Sequence, residues 1–127
     1  MLNHPTTFAE WQKYPKTLDP IHVAWLKNAK KSKTSFAVAD IEGVEISHKK
    51  FLTGVLLFSK KIEDYSPEQN VGLLLPSSGG GAIASMAILS LGKTIVNLNF
   101  TAGKKALSSA AKQAEVKHIY TSRKFLD

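Results

Sequence analysis

Along the first seventy positions, apolar residues recur at the spacings of short amphipathic helices and one hairpin. Thr7 can cap a helix in which Phe8, Trp11 and Tyr14 share one face, and Pro15 ends it. Asp19 and Pro20 read as the cap and first position of a second helix, residues 21 to about 31, with Ile21, Trp25 and Ala29 at four-residue steps. Its far end holds Lys27, Lys30, Lys31 and Lys33, which complement the negative end of the helix dipole. Residues 36–41 alternate and are rich in β-formers, Glu42 and Gly43 signal a turn, and 44–46 resume strand character, which predicts a β-hairpin. Ser47 then caps a helix carrying Phe51, Val55, Phe58 and Ile62 at helical spacing with Leu52 and Leu56 beside them, and residues 65–70 end it with turn chemistry.

From residue 71 the pattern changes to continuous apolar runs. Residues 71–75 read as a buried strand, 76–81 as a glycine loop, 82–91 as a buried helix before Gly92, and 94–98 as a second strand covered on both faces. Residues 101–103 lead to a helix with Ala106, Leu107, Ala110, Ala111 and Ala114 on its inner face. Residues 117–121 form a third strand, and 122–127 begin another helix. Apolar strands separated by helices imply a parallel sheet with right-handed crossovers. The expected fold class is α/β: parallel strands with crossover helices, preceded by two helices and a β-hairpin. Because the chain ends where a further unit opens, it reads as a truncated part of a larger domain. Residues 71–92 carry no charge, yet Pro76 and the serines and glycines after it split them into pieces too short to cross ~30 Å of hydrocarbon.

Length changes this picture little, since 127 residues suit one domain. Absence of cysteine excludes a disulfide framework, a thiolate zinc site and a cysteine nucleophile. His4, His22, His48 and His118 form no pair at metal-binding helical spacing. The net charge of +7 suits an anionic partner. Sixteen of the seventeen basic residues are lysines and Arg123 is the sole arginine, which argues against nucleic-acid base readout. The excess is concentrated in residues 70–127, with seven positive and two negative charges. No charged segment followed by an apolar run opens the sequence, so a cytoplasmic location is expected.

Candidate chemistry is thin. The run Pro76-Ser77-Ser78-Gly79-Gly80-Gly81 invites a phosphate-binding reading, but no Lys-Ser/Thr follows it and it is not G-x-G-x-x-G. Residues 71–114 contain no Asp or Glu to hold a ribose. The glycines then serve turn geometry and close packing, so replacing Gly80 with valine is expected to lower the melting temperature. Glu42, Glu45, Glu63, Asp64 and Glu68 fall in turns or at helix ends, where exposed carboxylates are normal. Lys104, Lys105 and Lys112 form a positive helix surface suited to solvent or to an acidic partner.

Several stretches in order nevertheless resemble a known family. Phe36-Ala-Val-Ala-Asp40 leads through a Glu-Gly turn to a helix, followed by Asn70-Val-Gly-Leu-Leu-Leu-Pro-Ser-Ser78, Ala87-Ile-Leu-Ser-Leu-Gly92 and Val96-Asn-Leu-Asn99. Together they resemble the opening of the adenylate-forming acyl-activating enzymes. Asn97-Leu-Asn-Phe-Thr-Ala-Gly103 and Tyr120-Thr-Ser-Arg-Lys-Phe125 are similar to the acyl-ACP synthetase portion of the 2-acylglycerophosphoethanolamine acyltransferase/acyl-ACP synthetases. Ser77 departs from the usual asparagine, and Val96-Asn97 from a proline in many relatives. The resemblance implies an N-terminal helical extension over 1–33 and the N-terminal part of an AMP-binding domain over 34–127. It implies a parent ligase that uses ATP and Mg2+ to activate a fatty acid as its acyl-adenylate and passes the acyl group to acyl carrier protein or CoA. A role in lysophospholipid reacylation, acyltransferase activity in the parent and peripheral association with the inner face of the membrane belong to the same expectation. The family's phosphate loop, magnesium-serving Thr-Glu pair, ribose-binding aspartate and catalytic lysine have no counterpart in these residues. No catalytic, cofactor-binding or metal residue is therefore assigned, no cofactor is expected in this segment, and it is expected to be inactive alone and to self-associate. The alternative from another class is a noncatalytic α/β module that binds an anionic ligand or acidic carrier protein.

Overall fold

The computed structural model describes Thr7, Ala9 and residues 19–31, 33–41 and 43–126. The helix expected to start at Thr7 falls, but for Thr7 and Ala9, outside these residues. Helix α1 (Ile21–Ala29) has Pro20 at its N-cap without a side-chain cap, one position later than the expected Asp19. The Pro20 carbonyl accepts from the Val23 and Ala24 N–H groups, while Asp19 pairs with Lys27 at 2.6 Å. Strands β1 (Phe36–Ala39) and β2 (Glu45–Ser47) form the expected antiparallel hairpin, with Val38 opposite Ile46 and Ala39 opposite Glu45. Gly43 turns the chain at φ +80°, a region glycine enters without steric cost.

Helix α2 (His48–Tyr65) starts as its sequence requires, with Ser47 Oγ accepting from the Lys50 N–H at 3.3 Å. Phe51, Val55 and Ile62 are buried and Phe58 is half-buried, but Leu56 is 62% exposed. One helical step of about 100° carries Leu56 past the edge of an apolar stripe that is itself only about 100° wide. Trp25 joins α1 to this helix. Its Nε1 donates to Nδ1 of buried His48 at 3.2 Å, and its ring lies 5.0 Å from that of Phe51.

Three parallel strands follow, β3 (Asn70–Leu74), β4 (Thr94–Asn97) and β5 (Ile119–Thr121), in the spatial order β4-β3-β5. Helix α3 (Gly79–Ser90) links β3 to β4, and α4 (Lys104–Gln113) links β4 to β5 on the far side of β3. Val71 and Leu73, aligned with Ile95 and Tyr120, share one sheet face and enter the core with Ile62, Ala84, Ala87 and Ile88. Helices α2 and α3 approach closely, since a Cβ at Gly54 would stand 2.8 Å from Ile83 Cδ1. The structure has the expected α/β class, with three differences in coverage and extent. Strand β4 is not covered on both faces: Ile95 and Val96 are half-buried, while Thr94 and Asn97 are exposed. In α4, Leu107, Ala111 and Ala114 are half-buried but Ala106 and Ala110 are exposed. Among the described residues, nothing packs on that side of α4, so its covered stripe is narrower than its alanine content suggests. The last helix is a single 3-10 turn, Arg123–Phe125.

Candidate functional site

From β3 the chain crosses to β4 on one side, and from β4 it returns to β5 on the other. In open α/β sheets, ligands bind outside the carboxyl ends of the strands where the order reverses in this way. That reversal falls between β3 and β5; a cleft of ≈ 810 Å³ lies beside it, at the carboxyl ends of β3 and β4, within the range of small-molecule sites. Leu73, Leu75 and Leu98 give it an apolar floor. The loop at 76–78 and the segment at 97–100 form two walls, and the hairpin closes a third with Asp40. Much of its polar complement is already engaged. Asn99 Oδ1 accepts from the Thr101 N–H at 2.9 Å and from the Thr101 hydroxyl at 2.7 Å, and the Ser85 hydroxyl donates to the Gly81 carbonyl at 2.9 Å.

The glycine run, expected as a loop ahead of a helix at 82, is the first turn of α3. Ser78 is the N-cap, and its Oγ accepts from the Gly81 N–H at 3.2 Å. Asp40 Oδ2 accepts from the Gly79 N–H at 3.3 Å, and its Oδ1 from the Val44 N–H at 3.1 Å. A hairpin carboxylate thus holds the position at the helix end that a phosphate would take. Packing explains two of the three glycines. A Cβ at Gly79 would lie 2.6 Å from Ile46 Cδ1, and one at Gly81 would lie 2.7 Å from the Pro76 carbonyl oxygen. At Gly80 it would meet nothing nearer than Ser78 Oγ at 3.9 Å, so the expected packing penalty for Gly80→Val loses its steric basis. These residues do not fit ATP with Mg2+. No lysine or arginine lines this cleft, its one carboxylate bonds the helix end, and no group of three His, Asp or Glu side chains suited to a metal occurs among the described residues.

The other residues singled out by the sequence lie elsewhere. Glu42 is outside the described residues, Glu45 and Glu63 are exposed, and Asp64 pairs with Lys60 at 2.7 Å. Asp64 holds the Lys60 ammonium above its ordinary pKa, first through the hydrogen bond and then through its charge. Lys104, Lys105 and Lys112 are all exposed on α4. Glu68 is the best-integrated carboxylate of the set. Its Oε1 lies 2.8 Å from His118 Nδ1 and accepts the His118 N–H at 3.1 Å, while Oε2 is buried without a hydrogen-bond partner among the described residues. Burial pushes the Glu68 carboxyl upward, but its own backbone N–H and the His118 ring outweigh that and hold it below the ordinary glutamate range. His4 is outside the described residues, and His48 is engaged by Trp25. The residue that sequence reasoning missed is Asp40. Its place in the alternating run 36–41 marked it as part of a strand, with no sign of the helix end it would bond.

No protein-family model matches the chain. Solved structures share its fold. The N-terminal subdomain of Klebsiella oxytoca NpsA, in complex with anthranilyl-AMSN, matches 84% of this chain and 28% of its own at a TM-score of 0.77 and 10% identity. The nonribosomal peptide synthetase FmoA3, in an alpha-methyl-L-serine-AMP bound form, matches 87% of this chain and 13% of its own at 0.78 and 12%. The inhibitor-bound N-terminal domain of FACL13 from Mycobacterium tuberculosis matches 87% of this chain and 29% of its own at 0.76 and 16%. The chain thus spans less than a third of the length of each of these. Its α/β unit has the fold of the N-terminal part of an adenylation domain.

Proposed function

We propose that this chain is the N-terminal segment of an ATP-dependent adenylate-forming enzyme that activates a carboxylic acid as its acyl-adenylate. The observation that carries this reading is the match of more than four-fifths of the chain to adenylating folds. The cleft at the carboxyl ends of β3 and β4 adds a place for one wall of a substrate cavity. The motifs over 34–127 favour a fatty acid as substrate, acyl carrier protein or CoA as acceptor, and lysophospholipid reacylation at the inner face of the cytoplasmic membrane as the setting. Residues 1–33 are then a helical extension of the AMP-binding domain. No helix among the described residues is long and apolar enough to cross a membrane.

On this reading the segment contributes scaffold and leaves the chemistry to other parts of the enzyme. Adenylation needs cations around the α-phosphate and groups that grip the nucleotide. Among the described residues the larger cleft offers neither, and the Asp40 carboxylate already occupies its helix end. A carrier protein is the favoured macromolecular partner, and the exposed lysines of α4 suit an acidic one.

Exchange of labelled pyrophosphate into ATP, run with a series of fatty acids, tests the assignment. The 127-residue chain should give background exchange only, and a polypeptide that continues into a glycine-rich loop ending Pro-Lys-Gly should give fatty-acid-dependent exchange. Exchange by the 127-residue chain alone would sink the scaffold reading, and none in the longer chain would sink the family assignment.

A further inference from the structure

A second cleft, of ≈ 470 Å³, lies on the other side of the β3 carboxyl end, towards β5. It shares Leu75, Pro76, Ser78 and Gly81 with the larger cleft but has the opposite electrostatic character. Among the described residues, Lys61 and Arg123 line it and no carboxylate does, whereas the larger cleft has Asp40 and no cation. Neither Lys61 nor Arg123 forms an ion pair among the described residues, although neighbouring Lys60 is paired with Asp64. Phe58, Leu75, Pro76 and Ala84 supply an apolar wall. Ser122, also in the lining, has a buried hydroxyl with no hydrogen-bond partner among the described residues.

Gly80 adds an independent observation. It lines this cleft, its backbone does not lie in the left-handed region, and a Cβ there would meet only Ser78 Oγ, at an unstrained 3.9 Å. Glycine is a weaker helix former than alanine, by up to about 1 kcal/mol in a helix interior and less in a first turn such as this one. A Cβ at Gly81 would meet the rigid Pro76 carbonyl at 2.7 Å and one at Gly79 the tip of the Ile46 side chain at 2.6 Å, whereas one at Gly80 would meet only Ser78 Oγ at 3.9 Å. A larger side chain at Gly80 would add bulk at a residue that lines the cleft.

We propose that this cleft binds a phosphate monoester carrying an apolar substituent. The phosphate sits between Lys61 and Arg123, the substituent lies against Phe58, Leu75 and Ala84, and Gly80 keeps the space between them clear. A phosphate monoester carries about −1.5 to −2 charge near neutral pH, which matches two cations better than a monocarboxylate does. The planar guanidinium of Arg123 suits phosphate oxygens in particular. The Gly79 and Gly81 amides are already taken by Asp40 and Ser78, so the site rests on the cleft and its cations and not on the helix end. It adjoins the cleft assigned to the adenylation fold but does not depend on that assignment.

Calorimetric titration of the 127-residue chain with phenyl phosphate tests this, with inorganic phosphate and benzoate as comparison ligands. The expected result is saturable binding of phenyl phosphate, at least about tenfold tighter than either comparison ligand, a difference of about 1.4 kcal/mol. Arg123→Gln and Lys61→Gln should each weaken it about tenfold at moderate salt. Gly80→Leu should abolish it without lowering the melting temperature. Absence of saturable binding at millimolar concentration, equal affinity for benzoate, or affinity unchanged in the Arg123 and Lys61 variants would overturn the proposal. If Gly80→Leu unfolds the chain, the two charge variants decide the matter alone.

Discussion

A methyl group added at Gly81 would stand 2.7 Å from the Pro76 carbonyl oxygen, a rigid backbone atom, whereas one added at Gly80 would touch nothing inside 3.9 Å. Gly81→Ala should therefore cost roughly 1–3 kcal/mol through overpacking. Gly80→Ala should be neutral or stabilise by about 0.5–1 kcal/mol, because it restricts the unfolded chain at no steric cost. Urea denaturation of the two variants side by side checks this, and equal midpoints would refute the packing account. Glu68 supports a second prediction at this scale. Its carboxyl pKa is lowered in the folded chain, so the stability it contributes is fully present above its unfolded value near 4.5 and is lost as pH falls through the folded value. Unfolding midpoints between pH 7 and pH 3 should fall more steeply for the native chain than for Glu68→Gln, which lacks the titrating group. Parallel curves would show that the contact with His118 carries no linked stability.

At the scale of the element, α2 shows how a helical stripe becomes energy. Ile62 is completely buried between the sheet and α3, while Leu56 on the same helix is 62% exposed. Ile62→Ala should lose about 2–5 kcal/mol, the lost transfer energy plus the cavity left behind. Leu56→Ala should stay within about 0.5 kcal/mol of the native chain. Thermal or chemical denaturation distinguishes them, and a large loss at Leu56 would mean that something covers this face in solution. Helix α4 is the contrasting case. With Leu107, Ala111 and Ala114 only half covered and no residue buried, it rests on the molecule through a narrow stripe.

For the molecule as a whole, the three-stranded sheet has two edges, β4 and β5, and a partly covered second face on which Val96 is half-buried and Ile119 is 44% exposed. Parallel sheets are ordinarily buried on both faces, and unpaired edges offer hydrogen-bonding groups to another chain. Self-association of the 127-residue chain is the expected consequence. The net charge of +7 opposes it, so added salt should strengthen it. Sedimentation should show a dimer or larger species, and a clean monomer at tens of micromolar in moderate salt would remove the prediction.

The order and type of most elements were legible along the chain because they depend on neighbours a few residues apart. The Ser47 cap, the Phe51-Val55-Ile62 stripe and the apolar runs of β3 and β4 all follow from helical or strand spacing. The stretches quoted for the family resemblance, 70–78 and 96–99, prove to flank one cleft, since each contains the carboxyl end of one of two adjacent parallel strands. Local pattern stops short of which apolar positions are covered, and so Leu56, Ala106 and Ala110 turned outward. It stops short, too, of long-range contacts. Asp40 and Gly79 are 39 positions apart, and only the docking of the hairpin on α3 brings the carboxylate to the helix end. Lys61 and Arg123 meet at one cleft through the crossing of α4 from β4 to β5, past β3. Spacing along the chain determines what each segment can bury, but the strand order and the helix packing decide which side chains share a site.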